Sequence, residues 1–141
     1  MDDPVCPEDR HPMNRAVRPV TLSYKGHSAD VEMPAWYCEH CGESIHSGKD
    51  MAMPDKALNR LKAEVEGLLL PEAVRRIRKR LKLTQKEAAS TVGGGPNVFQ
   101  KYETGEVLVS KAITSALLLL DKNPEGLEVL RSRARGHDAA A

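Results

Sequence analysis

The three cysteines of this chain are its most reactive residues, and their spacing points to a metal. Cys38-Glu39-His40-Cys41 is a CxxC pair. Such a pair puts two thiolates on one tight turn at tetrahedral spacing, which is half of a zinc-ribbon site. The other half is usually a second CxxC. Here the matching string is Asp3-Pro4-Val5-Cys6, with Asp where the first Cys would stand. Carboxylate oxygen is a legitimate zinc ligand. The spacing predicts one structural Zn2+ on Cys6, Cys38 and Cys41, with Asp3 fourth and His11, His40 and His46 competing for that fourth place. The alternative is that the thiols are simply small buried apolar groups. A catalytic zinc is not expected, because no HExxH occurs and no acid or base is evidently placed to use a metal-bound water. A redox CxxC is not expected either, because no βαβ pattern surrounds it.

A second set of residues suits a polyanion. Arg75, Arg76, Arg78, Lys79, Arg80 and Lys82 crowd one short segment and supply sequence-independent attraction to phosphate. Farther on, Asn97 has an amide that can bond adenine bidentately. Lys101, one helical turn later on the same face, suits guanine O6 and N7. Gln85 and Lys86, at the start of the intervening helix, are placed for the DNA backbone, as are Arg75, Arg78 and Lys79. A basic helix alone is more often a solvated face, and an Asn near a helix start is more often a cap. The conjunction of a basic helix, a Gly turn and a polar face on the next helix favours major-groove reading by a helix-turn-helix.

The elements that must position these groups can be read in turn. Val17, Val20, Leu22 and Tyr24, then Ala29, Val31 and Met33, read as strands around a Lys25-Gly26-His27-Ser28 turn. A sheet this small is hard to sustain on apolar burial alone, which suits a metal staple. Ala57, Leu58, Leu61, Val65, Leu68 and Leu69 recur at helical spacing and mark a connector helix. Five helices are expected after it. The first is Pro71 to Leu81. The second begins at Thr84, where Thr84-Gln85-Lys86-Glu87 spells a capping box. The third is opened by Pro96 after Gly93-Gly94-Gly95, anchored by Val98, Phe99 and Tyr102, and closed by Gly105. The fourth starts near Ser110, and Pro124 opens the fifth. Gly93-Gly94-Gly95 lacks a following GK[ST] and is not a phosphate loop.

Charge agrees with this division. Residues 1–70 carry eight basic and twelve acidic side chains, whereas residues 71–111 carry nine and four. The middle of the chain therefore suits nucleic acid and the N-terminal part does not. No run of 18 apolar residues predicts a membrane span, and MDDPVCPEDR lacks the pattern of a secretory leader, so a cytoplasmic protein with reduced thiols is expected. No paired carboxylates, nucleophile elbow or phosphate loop suggests an enzyme.

Several strings resemble one family. Pro4-Val5-Cys6, Trp36-Tyr37-Cys38-Glu39-His40-Cys41-Gly42-Glu43-Ser44-Ile45, Leu83-Thr84-Gln85-Lys86-Glu87-Ala88 and Gly93-Gly94-Gly95-Pro96-Asn97-Val98-Phe99-Gln100-Lys101-Tyr102-Glu103-Thr104-Gly105 are together similar to MqsA-type antitoxins. These combine a YgiT-type zinc finger with a Cro-like helix-turn-helix. The resemblance implies a zinc-binding N-terminal domain that holds a small toxin, typically a ribonuclease. It also implies a C-terminal domain that dimerises on a palindromic operator and represses the pair's own operon. It sets the family's zinc cysteines on Asp3, Cys6, Cys38 and Cys41, its base-reading Asn on Asn97, and its base-reading Arg on Lys101. The expected architecture is α+β in two domains. Residues 1–69 form a small zinc-ribbon-like β domain with the connector helix. Residues 70–135 form an all-α five-helix domain that binds double-stranded DNA and dimerises, and 136–141 is a disordered tail. The competing expectation is a free-standing zinc-ribbon transcriptional regulator without a toxin.

Overall fold

The computed structural model describes residues 3–140, with side chains as far as Arg135. The chain divides into two compact units, Met1–Leu61 and Lys62–Ala141. The division falls within helix α1 (Ala52–Glu66), the expected connector, whereas the sequence suggested a boundary after Leu69.

The first unit is built on a long hairpin. Strands β1 (Asn14–Tyr24) and β2 (His27–Tyr37) pair antiparallel from Asn14↔Tyr37 to Tyr24↔His27. The two residues between them, Lys25 and Gly26, both have positive φ, at 47° and 81°. A two-residue turn with both φ values positive has a twist that matches the strands it joins. A short β3 (Ser44–Ile45) adds to β2, giving the order β1-β2-β3. β1 is thus an edge strand, which is where Pro19 is tolerated. Along β2 the residues Val31, Met33, Ala35 and Tyr37 are buried and alternate with more exposed neighbours, as the pleat requires. The core beside the sheet is small: Cys6, Met13 and Cys38, with Trp36 and Ile45 packed against them. Arg15 and Asp50 tie the start of the hairpin to the segment before α1 through two hydrogen bonds of 3.0 and 2.8 Å.

The second unit contains α2 (Pro71–Arg80), α3 (Gln85–Val92), α4 (Val98–Thr104), α5 (Lys111–Lys122) and α6 (Gly126–Ala140). With α1, six helices are described. One core joins α2 to α6, centred on the fully buried Val74, Ile77, Phe99 and Leu117. The Thr84 box forms: the Glu87 N–H donates to the Thr84 hydroxyl at 3.0 Å, and the Thr84 N–H donates to the Glu87 carboxylate at 3.1 Å. Gly105 closes α4 in the left-handed conformation, and the Ser110 hydroxyl caps α5. Two prolines sit earlier than expected. Pro96 lies in the turn before α4, which leaves Asn97 as the cap residue, and Pro124 precedes the first residue of α6 by two. The backbone is helical through Ala140, where a disordered tail was expected from 136; Ala141 lies outside the described residues. No helix among the described residues is long and apolar enough to cross a membrane.

Candidate functional site

The hairpin unit gathers four ligand groups. Cys6, Asp9, Cys38 and Cys41 each offer one ligand atom, all within 4.8 Å of one another. The Sγ atoms of Cys6 and Cys41 are 3.5 Å apart, and Cys38 Sγ is 3.5 Å from both Asp9 carboxylate oxygens. A tetrahedral zinc with bonds of about 2.3 Å to sulfur and about 2.1 Å to oxygen has S–S and S–O edges of about 3.8 and about 3.6 Å. The measured pairs match those edges to within a few tenths of an ångström, so three thiolates and one carboxylate fit a divalent cation here. Cys6 and Cys38 are buried and Cys41 is exposed, so the group opens to solvent at one corner.

Electrostatics favour a cation at this place. The Glu43 backbone contact pulls the Cys41 thiol down, but the Cys6 thiol, burial, Cys38 and the Asp9 charge together push it up to about 12. Asp9 is held well below the usual carboxylate range, first by the His11 N–H at 3.0 Å, which outweighs burial, and then by the Cys6 and Cys38 thiols. Several anions cannot share this space alone. A metal would displace the thiol protons as it binds, which makes its binding a folding term for the unit.

Three of the four expected ligands are brought together. Asp3, expected as the fourth, is exposed and lies outside the group, and Asp9 stands within it. His46 is also outside, with its Nε2 3.3 Å from the Ser44 hydroxyl. His11 and His40 group with Asp9 rather than with the thiols. The sequence signal for Asp9 is Cys6-Pro7-Glu8-Asp9, which has CxxC spacing with Asp at its second ligand position.

The second unit presents the polar face of α4. Asn97 occupies its cap position but makes no side-chain cap bond, and it is exposed. Lys101 is exposed one turn later. Gln85, Lys86, Asn97 and Gln100 line one shallow depression, so the start of α3 and the start of α4 meet at one surface. Arg75 and Lys79 are exposed on α2 at helical spacing of one turn. Arg76 and Arg80 lean on Asp121 of α5, at 3.9 and 2.7 Å.

Arg78 departs from its expected place on the DNA backbone. It follows the buried Val74 by one turn and precedes Leu81, so it shares the inward side of α2. Its Nε and Nη2 donate to the Glu103 carboxylate at 2.7 and 2.9 Å, and its Nη1 donates to the Leu83 carbonyl at 2.9 Å. The two side chains are only 12% and 7% exposed. Hydrogen bonding to Glu103, opposed by burial and helped by its charge, raises the Arg78 pKa further. Arg78 therefore fastens α4 to α2 and has little left for a phosphate.

The whole chain has relatives. The family model for the antitoxin component of a bacterial toxin–antitoxin system, MqsA, matches residues 1–131. The chain is 32% identical over 133 residues to Antitoxin MqsA of Escherichia coli (strain K12), covering 93% of this chain and 100% of that protein. It is also 36% identical over 73 residues to Vegetative-specific protein H7 of Dictyostelium discoideum, covering 52% of this chain and 61% of that protein. With a match over nearly its whole length, this chain belongs to the MqsA antitoxin family of toxin–antitoxin systems.

Proposed function

We propose that this antitoxin neutralises a small toxin, a ribonuclease, through its N-terminal unit and represses its own operon by reading DNA with α4. The observation that carries the DNA reading is the free Asn97 amide. It stands at the head of a helix that is fixed from behind by the Arg78–Glu103 pair, beside Gln85 and Lys86 and one turn from Lys101. Asn97 and Lys101 meet base edges, while Arg75, Lys79, Gln85 and Lys86 meet phosphates. Lys101 places a point charge near guanine rather than the planar fork of an arginine. Two copies join through their C-terminal helices, a reading supported by the exposed Leu118, Leu119 and Val129 of α5 and α6. Each copy then fills one half of a palindromic operator, with half-sites about one helical turn apart or a multiple of that.

Cys6, Cys38 and Cys41 with one carboxylate would hold one structural Zn2+, the metal that thiolate-rich tetrahedral sets favour. Bound there, the ion would cross-link two loops of a unit whose apolar core is too small to hold them. The protein works in the cytoplasm, where its thiols stay reduced. Footprinting of the purified chain on DNA upstream of its own gene tests the repressor reading. Protection of two symmetric half-sites that disappears on scrambled sequence at equal salt is the expected result. Uniform, weak, salt-sensitive binding to both DNAs would refute it.

A further inference from the structure

The N-terminal unit contains the same turn twice. At the second cysteine pair, the Gly42 N–H donates to the Cys38 carbonyl at 2.9 Å and the Cys38 N–H donates to the Glu43 carbonyl at 2.8 Å. At the first, the Arg10 N–H donates to the Cys6 carbonyl at 2.9 Å and the Cys6 N–H donates to the His11 carbonyl at 2.9 Å. Both sets of bonds run at the same offsets, four and five residues beyond the leading cysteine. The fifth residue of each turn has positive φ: 82° at Gly42 and 63° at Arg10. A left-handed conformation is free for glycine and costly for arginine, so the surrounding turn must impose it at Arg10. In this correspondence Cys6 matches Cys38, and Asp9 matches Cys41.

Asp3 has no place in either turn. Val5 bridges Pro12, and the Met13 N–H donates to the Pro4 carbonyl at 3.1 Å. Pro4 and Val5 are thus the incoming arm of the first turn, and Asp3, which precedes that arm, is exposed and outside the ligand group.

Two histidines face Asp9 from opposite turns. His11 Nδ1 lies 3.2 Å from Oδ1, and His40 Nδ1 lies 3.3 Å from Oδ2. The imidazoles stack with centroids 4.0 Å apart and planes 10° apart. The in-plane nitrogen lone pairs of stacked rings lie in separate, near-parallel planes, so the two cannot converge on one ion. They suit separate contacts to the two carboxylate oxygens instead.

We infer that the first metal knuckle of this chain is Cys6-Pro7-Glu8-Asp9, with Asp9 as the fourth ligand and the stacked His11 and His40 as the brace that orients its carboxylate. This rests on the metal reading given above. Donors behind a metal-bound carboxylate fix its direction, and their loss typically lowers metal affinity by about 10–100-fold.

Titration of the full-length chain with Co2+ tests the assignment, because thiolate-to-cobalt charge-transfer absorption reports the number of sulfur ligands. The native chain should show three thiolates. Asp9→Cys should add a fourth, and Asp3→Cys should add none. His11→Ala and His40→Ala should each keep three thiolates and weaken Co2+ binding by about 10–100-fold in competition with a chelator. A fourth thiolate from Asp3→Cys and not from Asp9→Cys would overturn the knuckle. Native affinity in both histidine variants would overturn the brace. No cobalt bound by the native chain would instead overturn the metal reading on which the inference rests.

Discussion

Glu103→Leu is the most informative single change in the second unit. It leaves the Arg78 guanidinium 12% exposed and still positive, with the Leu83 carbonyl as its one remaining partner among those described. Breaking a buried, hydrogen-bonded ion pair costs about 3–5 kcal/mol, mostly because one charge is stranded. The retained Leu83 bond and the residual exposure put this case at the lower end, about 3 kcal/mol. For a unit of this size that is a fall in Tm of more than about 10 °C. Urea denaturation and thermal melting read it directly, with Arg75→Ala as a surface control that stays within about 0.5 kcal/mol of the parent. The double variant Arg78→Met/Glu103→Leu removes both charges and should recover much of the loss. A cost below about 1 kcal/mol for Glu103→Leu would reduce the pair to an ordinary surface bridge and refute the argument. So would an Arg78→Met variant of unchanged stability whose DNA binding loses about one unit of salt slope, since that is how a phosphate ligand behaves.

Three other outcomes follow from the same geometry. Asn97→Ala should cost about 1–3 kcal/mol on the cognate operator and relax specificity, and an equal loss on scrambled DNA would remove Asn97 from base reading. Gly94→Ala should destabilise the turn before α4, because its φ is +108° and an added Cβ would lie 2.7 Å from the stiff Val98 Cγ1; an unchanged urea midpoint would contradict this. Asp50 is held well below the usual carboxylate range, first by the Arg15 guanidinium and then by the Ser47 N–H. Its folded pKa is depressed, so its stabilisation is complete above the ordinary carboxylate pKa and lost as pH falls through the folded value. Asp50→Asn should therefore lower the stability of the hairpin unit at neutral pH and flatten its loss between about pH 5 and pH 2; parallel acid profiles would contradict that.

Features that depend on near neighbours in the chain were legible in the sequence. The Thr84 capping box, the left-handed Gly105 and the alternation through Ala29, Val31 and Met33 all follow from local rules, and each stands in the structure. What is not legible in the sequence depends on direction or on distant partners. The same spacing reaches Asp3 upstream of Cys6 and Asp9 downstream, and only the folded turn brings Asp9 beside the thiols. Arg78 looked like one more cation in a basic helix, because its partner Glu103 lies 25 residues away. The Arg15–Asp50 tie spans 35 residues and has no local signature at all. Proline suits a first helical turn, so the sequence predicts Pro96 at the start of α4, but the positive φ values of Gly93, Gly94 and Gly95 hold the chain in a turn until Asn97.

In the function proposed above, this family member acts as an antitoxin against a small partner held by its N-terminal unit. The most direct measurement is recovery of the tagged chain from its host at moderate salt, followed by expression of any stoichiometric small protein alone and together with the chain. One such partner is expected, which arrests growth when expressed alone and is silenced when the chain is co-expressed. Recovery of the chain with DNA and no such protein would contradict it and leave a free-standing zinc-ribbon regulator.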